Sequence, residues 1–273
     1  MPEPIPLWPD ASPSGGQCPS ITAYLVDQPR CDGLVVVLPG GGYRVLADHE
    51  KQPVVDWLSA QGFHAALLAY RVGDGFPFPA PFHDGQRGIR LVRSLAEQWG
   101  VNPHAVAAIG FSAGGHLTSL LATLGDQMTC ENDDLASQYT ARPDVAVMAY
   151  APTNFVDHKP SRWPLPLFGP NPSDELIELL STVRHVTAGT PPTFLYHTAA
   201  DEMVMVEHSI EYAHACRAAG VPFELHVYER GRHGQALYEK DPTLAGWMDQ
   251  CVDFLDHHLR LAATRSANDA PHL

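Results

Sequence analysis

Residues 105–124 read Ala-Val-Ala-Ala-Ile-Gly-Phe-Ser-Ala-Gly-Gly-His-Leu-Thr-Ser-Leu-Leu-Ala-Thr-Leu. Ala105–Gly110 is a short apolar run, as expected of a strand covered on both faces. Ala113–Leu124 is apolar almost all round, which marks a buried helix. Between them lies Gly110-Phe111-Ser112-Ala113-Gly114, a Gly-x-Ser-x-Gly motif. Five residues of this kind are common in unrelated chains. Their place after a strand and before a helix makes the reading specific, because a sharp strand-to-helix turn projects the serine and small neighbours let the backbone close around it. Ser112 is therefore the candidate nucleophile, set where the helix dipole favours developing negative charge. The competing reading is a serine that caps an ordinary helix.

Outward from this stretch the pattern repeats. Ile21–Val26, Leu34–Leu38, Phe63–Tyr70, Val145–Ala149, Thr193–His197 and Phe223–Tyr228 have strand character. Helical spacing occupies 48–60, 83–99, 207–219 and 244–261. Alternation of this kind predicts an α/β fold, a mostly parallel central sheet with helices on both faces. Neither a repeat nor a linker divides the chain, so residues 1–273 read as a single domain. Its proposed parts are an extended lead-in over 1–19, an irregular insert near the site over 151–192, and a frayed tail over 266–273.

Composition narrows the function. The 273 residues carry 17 Lys+Arg against 31 Asp+Glu, a formal charge of −14. So acidic a chain has no electrostatic footprint for a phosphate backbone, and neither nucleic acid nor an anionic membrane surface is expected as a partner. No run approaches the length of a bilayer span, and no signal peptide is visible. Five cysteines, an odd number without a Cys-x-x-Cys pair, suit a reducing compartment, and a cytoplasmic location is expected.

A serine nucleophile needs a base, an orienting acid and donors for the oxyanion. In strand–elbow–helix architectures the order along the chain is Ser, then Asp or Glu, then His. Asp201 follows the strand 193–197 and His233 follows the strand 223–228, so both fall in loops beyond strand carboxyl ends, where open α/β sheets bind ligands. His233 is the candidate base and Asp201 its orienting acid, with Glu202 the rival acid. His197 and His226 lie within strands, and His257-His258 reads as a solvated helix end. His116, one turn after Ser112, reads as a packing or locally hydrogen-bonded residue. Gly40-Gly41-Gly42 after the strand 34–38 aligns with an esterase His-Gly-Gly-Gly pattern. Gly41 and Gly42 then stand at oxyanion donor positions, with the backbone N–H of Ala113 as the other donor. Pro39 stands where that pattern has His. Tyr43 beside the glycine loop and Trp163 in the insert are candidate substrate contacts. No metal-ligand spacing and no dinucleotide fingerprint occurs, so neither metal nor cofactor is expected.

With these residues in place, the chain resembles the α/β-hydrolase carbohydrate acetyl esterases, the acetylxylan esterase and bifunctional feruloyl/acetylxylan esterase-like group. The matching segments are Pro6–Pro9, Pro39–Tyr43, Arg87–Arg93, Gly110–Leu117, Pro191–Phe194, Asp201–Val204 and Tyr228–Gly234. The resemblance implies an α/β-hydrolase fold without a large cap domain. It also implies a serine carboxylesterase that removes small acyl groups, chiefly acetyl, from sugar hydroxyls. Two positions depart from the family pattern: Ala200 stands where an Asp is frequent, and Arg232 where a small residue is usual. An arylformamidase-like or peptidase-like amide hydrolase would use the same residues. A non-catalytic binding protein of this fold would be expected to lack part of the Ser, Asp and His set. Oligomeric state is left open.

Overall fold

A computed structural model describes residues 2–8, 17–237 and 243–269, the last five of these by backbone alone. Its frame is an eight-stranded sheet in the order β1-β2-β4-β3-β5-β6-β7-β8. The strands are β1 (Ile5–Pro6), β2 (Ser20–Tyr24), β3 (Leu34–Leu38), β4 (His64–Ala69), β5 (Val106–Phe111), β6 (Val145–Ala149), β7 (Thr193–Thr198) and β8 (Phe223–Tyr228). β1 and β2 pair antiparallel at one edge, and every pairing from β4 to β8 is parallel. The lead-in is thus partly strand: its Ile5 pairs with Ile21.

Strand side chains alternate between faces, and the core divides accordingly. Leu34, Val36 and Leu38 of β3 pack with Ile89 and Val92 of α2 (Ala80–Trp99) and with Leu117 and Leu120 of α3 (Ala113–Leu124). Val35 and Val37 face the other way, onto Val54, Val55 and Leu58 of α1 (Gln52–Ala60) and Trp247, Cys251 and Leu255 of α6 (Gly246–Asp269). On the α3 side, α5 (Glu207–Ala219) covers Met148 and Leu195. Helices on both faces leave the middle strands buried throughout, which is why they read as unbroken apolar runs.

Two boundaries shift from the sequence reading. The helix expected over 48–60 is a 3-10 turn, Asp48–Glu50, followed by α1 after a break at Lys51. The stretch 151–192 is not wholly irregular. It holds α4 (Asp174–Leu180), whose N-cap Ser173 accepts from the Leu176 N–H, and two 3-10 turns. The final helix runs to Asp269, so it includes the first part of the stretch expected to fray; 270–273 lie outside the described residues. His257 and His258 fall inside this helix rather than at its end.

Arg87, Arg90 and Arg93, spaced three apart on α2, are buried. Arg87 and Arg90 share Asp133 at 2.8 and 2.6 Å, and Arg93 bonds Asp144 at 2.9 Å. These pairs clamp the connection between α3 and β6 onto α2.

Candidate active site

β5 ends at Phe111 and α3 begins at Ala113, leaving Ser112 alone in the corner with φ 50° and ψ −115°. Positive φ costs a non-glycine residue energy and persists where the surroundings over-determine it. Here the Ser112 N–H bonds the Ala149 carbonyl at 2.9 Å, and its own carbonyl accepts from the His116 N–H at 2.9 Å. The flanking glycines are sterically required. A Cβ on Gly114 would lie 2.0 Å from the Leu38 carbonyl oxygen, and one on Gly110 would lie 2.2 Å from that of Gly114.

The corner aims Ser112 Oγ at His233 Nε2, 2.8 Å away. His233 Nδ1 stands 2.6 Å from Asp201 Oδ2. The other carboxylate oxygen, Oδ1, accepts from the N–H groups of Met203 and Val204 at 2.8 and 2.9 Å. Burial alone would raise the Asp201 pKa. Hydrogen bonds from His197 and His233, the charge of His233 and the Val204 N–H outweigh it and hold the carboxyl well below its usual range. Asp201 is therefore an anion throughout the working pH range, oriented toward the imidazole. The rival Glu202 is exposed and lines an outer basin with Ala200, Gly231 and Arg232. Both departures from the family pattern fall on that basin, so Arg232 borders the site from outside His233.

The glycine loop leaves β3 and presses against the elbow. A Cβ on Gly40 would meet the Phe111 carbonyl oxygen at 2.4 Å and Ser112 Cβ at 3.0 Å. Gly41 and Gly42 turn the chain with φ 121° and 64°. The Gly41 carbonyl accepts from the Arg44 N–H at 3.1 Å, closing the turn. Gly41, Gly42 and Ala113 all line one cavity of about 230 Å³ with Ser112 and His233. Ala113 is the first residue of α3, where a backbone N–H has no carbonyl four residues back. Apolar walls come from Val45, Pro152, Leu165, Met203 and Val204, and Arg44 and Arg162 stand on the rim.

The two candidate substrate contacts are elsewhere. Tyr43 is 1% exposed and its hydroxyl bonds His116 Nδ1 at 2.8 Å. It anchors the glycine loop to α3 instead of facing the cavity. Trp163 packs on Phe155 and Phe168, with Lys159 over its ring. It too is absent from the cavity wall. His116 is buried and held on both ring nitrogens, by Tyr43 and by the Leu180 carbonyl at 2.9 Å, a packed residue whose bonds are long-range in the chain, not local. His197 is likewise bonded within the core, to Ser209 and the Val204 carbonyl.

Sequence reasoning did not single out Glu50 or Tyr150. Glu50 is 2% exposed; its Oε2 accepts from the Gly40 N–H at 2.7 Å and its Oε1 from the Tyr150 hydroxyl at 2.8 Å. The Tyr150 ring meets His233 edge to face, with centroids 5.0 Å apart. Only its place ten residues after Gly40, in a turn otherwise exposed, sets Glu50 apart in sequence.

Comparisons with known proteins bear on the fold and the family. An acetyl ester-xyloside bifunctional hydrolase from Caldicellulosiruptor lactoaceticus is 36% identical and superposes with a TM-score of 0.84, over 93% of this chain and 96% of that one. An acetylxylan esterase of Xylanibacter ruminicola is 32% identical over 78% of this chain, and endo-1,4-beta-xylanase B of Butyrivibrio fibrisolvens is 30% identical over 86%. The chain spans 43% and 37% of the lengths of these two relatives. The fold is that of the α/β-hydrolase esterases. With the elbow, the glycine loop and the strand that leads to Asp201 all inside the matched segment, residues 26–215, this chain belongs to the BD-FAE family.

Proposed function

We propose that the chain is a serine carboxylester hydrolase that removes small acyl groups, chiefly acetyl, from sugar hydroxyls. The observation that carries this reading is the continuous line Ser112–His233–Asp201, with contacts of 2.8 and 2.6 Å, opening into a small cavity. In the first half-reaction His233 Nε2 takes the Ser112 proton as Oγ attacks the acyl carbonyl carbon. The oxyanion is met by backbone N–H groups of Ala113 and of Gly41 or Gly42. His233 then delivers the proton to the leaving alcohol oxygen as the ester bond breaks. In the second half, water gives its proton to His233 and attacks the acyl-enzyme, and Ser112 recovers its proton as the acid departs. Asp201 keeps the Nδ1 proton in place and favours the imidazolium.

The cavity of about 230 Å³ offers Leu165, Val45 and Pro152 as apolar surface for an acyl group. The acetylated-sugar half of the reading is supported by the names of the relatives, one an acetylxylan esterase and one an acetyl ester-xyloside hydrolase. No described helix is long and apolar enough to cross a membrane. All five cysteines are free thiols, which accords with the cytoplasm. A substrate panel tests the assignment: aryl acetate, longer aryl esters, acetylated xylo-oligosaccharides, feruloyl esters and formyl-kynurenine. The expected result is highest kcat/KM on acetyl esters. Since each methylene in a pocket is worth about 1–3 kcal/mol, preference for chains beyond about four carbons overturns the acetyl assignment.

A further inference from the structure

Among the described residues, Glu50 is the one buried carboxylate that borders the cavity yet has no part in the steps above. It sits at the junction of three segments. Its Oε2 takes the Gly40 N–H of the glycine loop, and its Oε1 takes the hydroxyl of Tyr150 at the end of β6. That same hydroxyl accepts the Ala236 N–H at 2.9 Å, three residues past the base. Adjacent His49 has Nε2 2.8 Å from the Gly234 carbonyl, as donor, and 3.6 Å from Glu50 Oε1. One carboxylate thereby fastens the oxyanion side of the site to the loop that carries His233.

We propose that Glu50 is a positioning carboxylate of this site, tying the glycine loop to the base loop through Tyr150 while its negative charge favours the protonated imidazole of His233. The proposal rests on the esterase reading for its kinetic consequences, since the imidazolium forms only when Ser112 yields its proton. Few groups compete for the role. Facing Glu50 are His49 on its own turn, Tyr150 after β6, Tyr70 after β4 and His233 after β8. Facing His233 are Ser112, Asp201, Tyr150 and Glu50, with Arg232 as its chain neighbour. Burial holds the Glu50 carboxyl above its usual range, and hydrogen bonds from Tyr150 and Gly40 and the charges of His49 and His233 offset this only in part. Two donors, one on each oxygen, suit the ionised form, which accepts at both.

The experiment compares full-length wild type, Glu50→Gln and Tyr150→Phe. On aryl acetate, both variants lose about 10- to 100-fold in kcat, as expected of misplaced reacting groups, with KM changed far less. The charge supplies the discriminating readout. In Glu50→Gln the acid limb of the kcat/KM–pH profile moves to lower pH by about half a unit or more, because the imidazolium has lost an anion. In Tyr150→Phe, which keeps the charge, the limb moves less. The His233 imidazole resonances, followed by NMR titration, shift in the same direction and report on the charge even where turnover is absent. Lost kcat with an unmoved limb and unmoved resonances would reduce Glu50 to a structural brace and overturn the proposal. Wild-type kcat in a folded Tyr150→Phe would overturn the tie, and that variant serves should Glu50→Gln not fold. A wild type inactive on every ester sinks the esterase reading instead, leaving the NMR comparison to judge Glu50.

Discussion

The Tyr43 hydroxyl and His116 Nδ1 lie 2.8 Å apart, joining the glycine loop to the helix that begins at the elbow. The pair explains how a loop with three successive positive-φ residues, 41 to 43, keeps one shape. Tyr43→Phe leaves the His116 acceptor buried without its donor, so stability falls by about 1–3 kcal/mol. Chemical denaturation checks this. The same variant retains the acyl-chain preference of the wild type, because Tyr43 does not line the cavity.

Acid should weaken the fold in a defined window. Burial holds His116 down at about 4, and burial with neighbouring His158 holds His208 at about 3, against 6.5 for an ordinary imidazole. Both are depressed in the folded state, so below 6.5 the unfolded chain binds more protons. Their contribution is complete above 6.5 and is lost as pH falls from there toward 4. Melting temperature measured between pH 7 and about 4.5 should drop steadily. His116→Gln, though less stable overall, should show a shallower drop. Asp201 acts in a lower window: its depressed pKa gives stability that is present above 3.8 and lost below it.

The buried arginine clamp separates pairs that matter from pairs that do not. Asp133→Asn leaves Arg87 and Arg90 buried with their shared anion gone, at a cost of about 3–5 kcal/mol. Asp256→Asn removes an i,i+4 pair whose arginine is 55% exposed, and should change stability by no more than about 0.5 kcal/mol. Urea midpoints of the two variants decide.

Crowding at the elbow predicts an asymmetry between glycines. Gly40→Ala drives a methyl into the Phe111 carbonyl oxygen at 2.4 Å and onto Ser112, so it lowers both stability, by about 1–3 kcal/mol, and kcat. Gly75→Ala meets nothing within 4 Å and should leave both unchanged. Equal behaviour would refute the packing of the glycine loop against Ser112.

Much of the architecture was legible because it rests on local rules. The short, β-branched runs 34–38 and 145–149 read as strands covered on both faces, and the serine between strand and helix located the corner. Asp201 and His233 were found through chain order and loop position, which need no distances. What escaped the sequence depends on the third dimension. Glu50 and Tyr150 meet across a hundred residues, and neither belongs to a motif. Tyr43 and Trp163 are aromatic and near the site in the chain, but the direction of a side chain is set by packing partners the sequence does not name. α4 was overlooked within a Pro- and Gly-rich stretch although Ser173 and the acidic first turn Asp174-Glu175 signal a helix start.

The 2.6 Å contact between Asp201 and His233 makes the carboxylate worth several orders of magnitude. Asp201→Asn preserves shape while reversing the preferred tautomer, and kcat on aryl acetate should fall by about 10⁴-fold. Glu202→Gln, at an exposed position, should lose little by comparison. A larger loss in Glu202→Gln would reassign the acid.

Catalysis through an acyl-enzyme requires a covalent bond at Ser112. Rapid acid quench of the enzyme turning over an aryl acetate, followed by peptide mass spectrometry, should find one acetyl group on the peptide containing Ser112, and none in Ser112→Ala, which should be folded and inactive. Sustained turnover by Ser112→Ala, or an acetyl group only on some other side chain, would rule out Ser112 as the nucleophile.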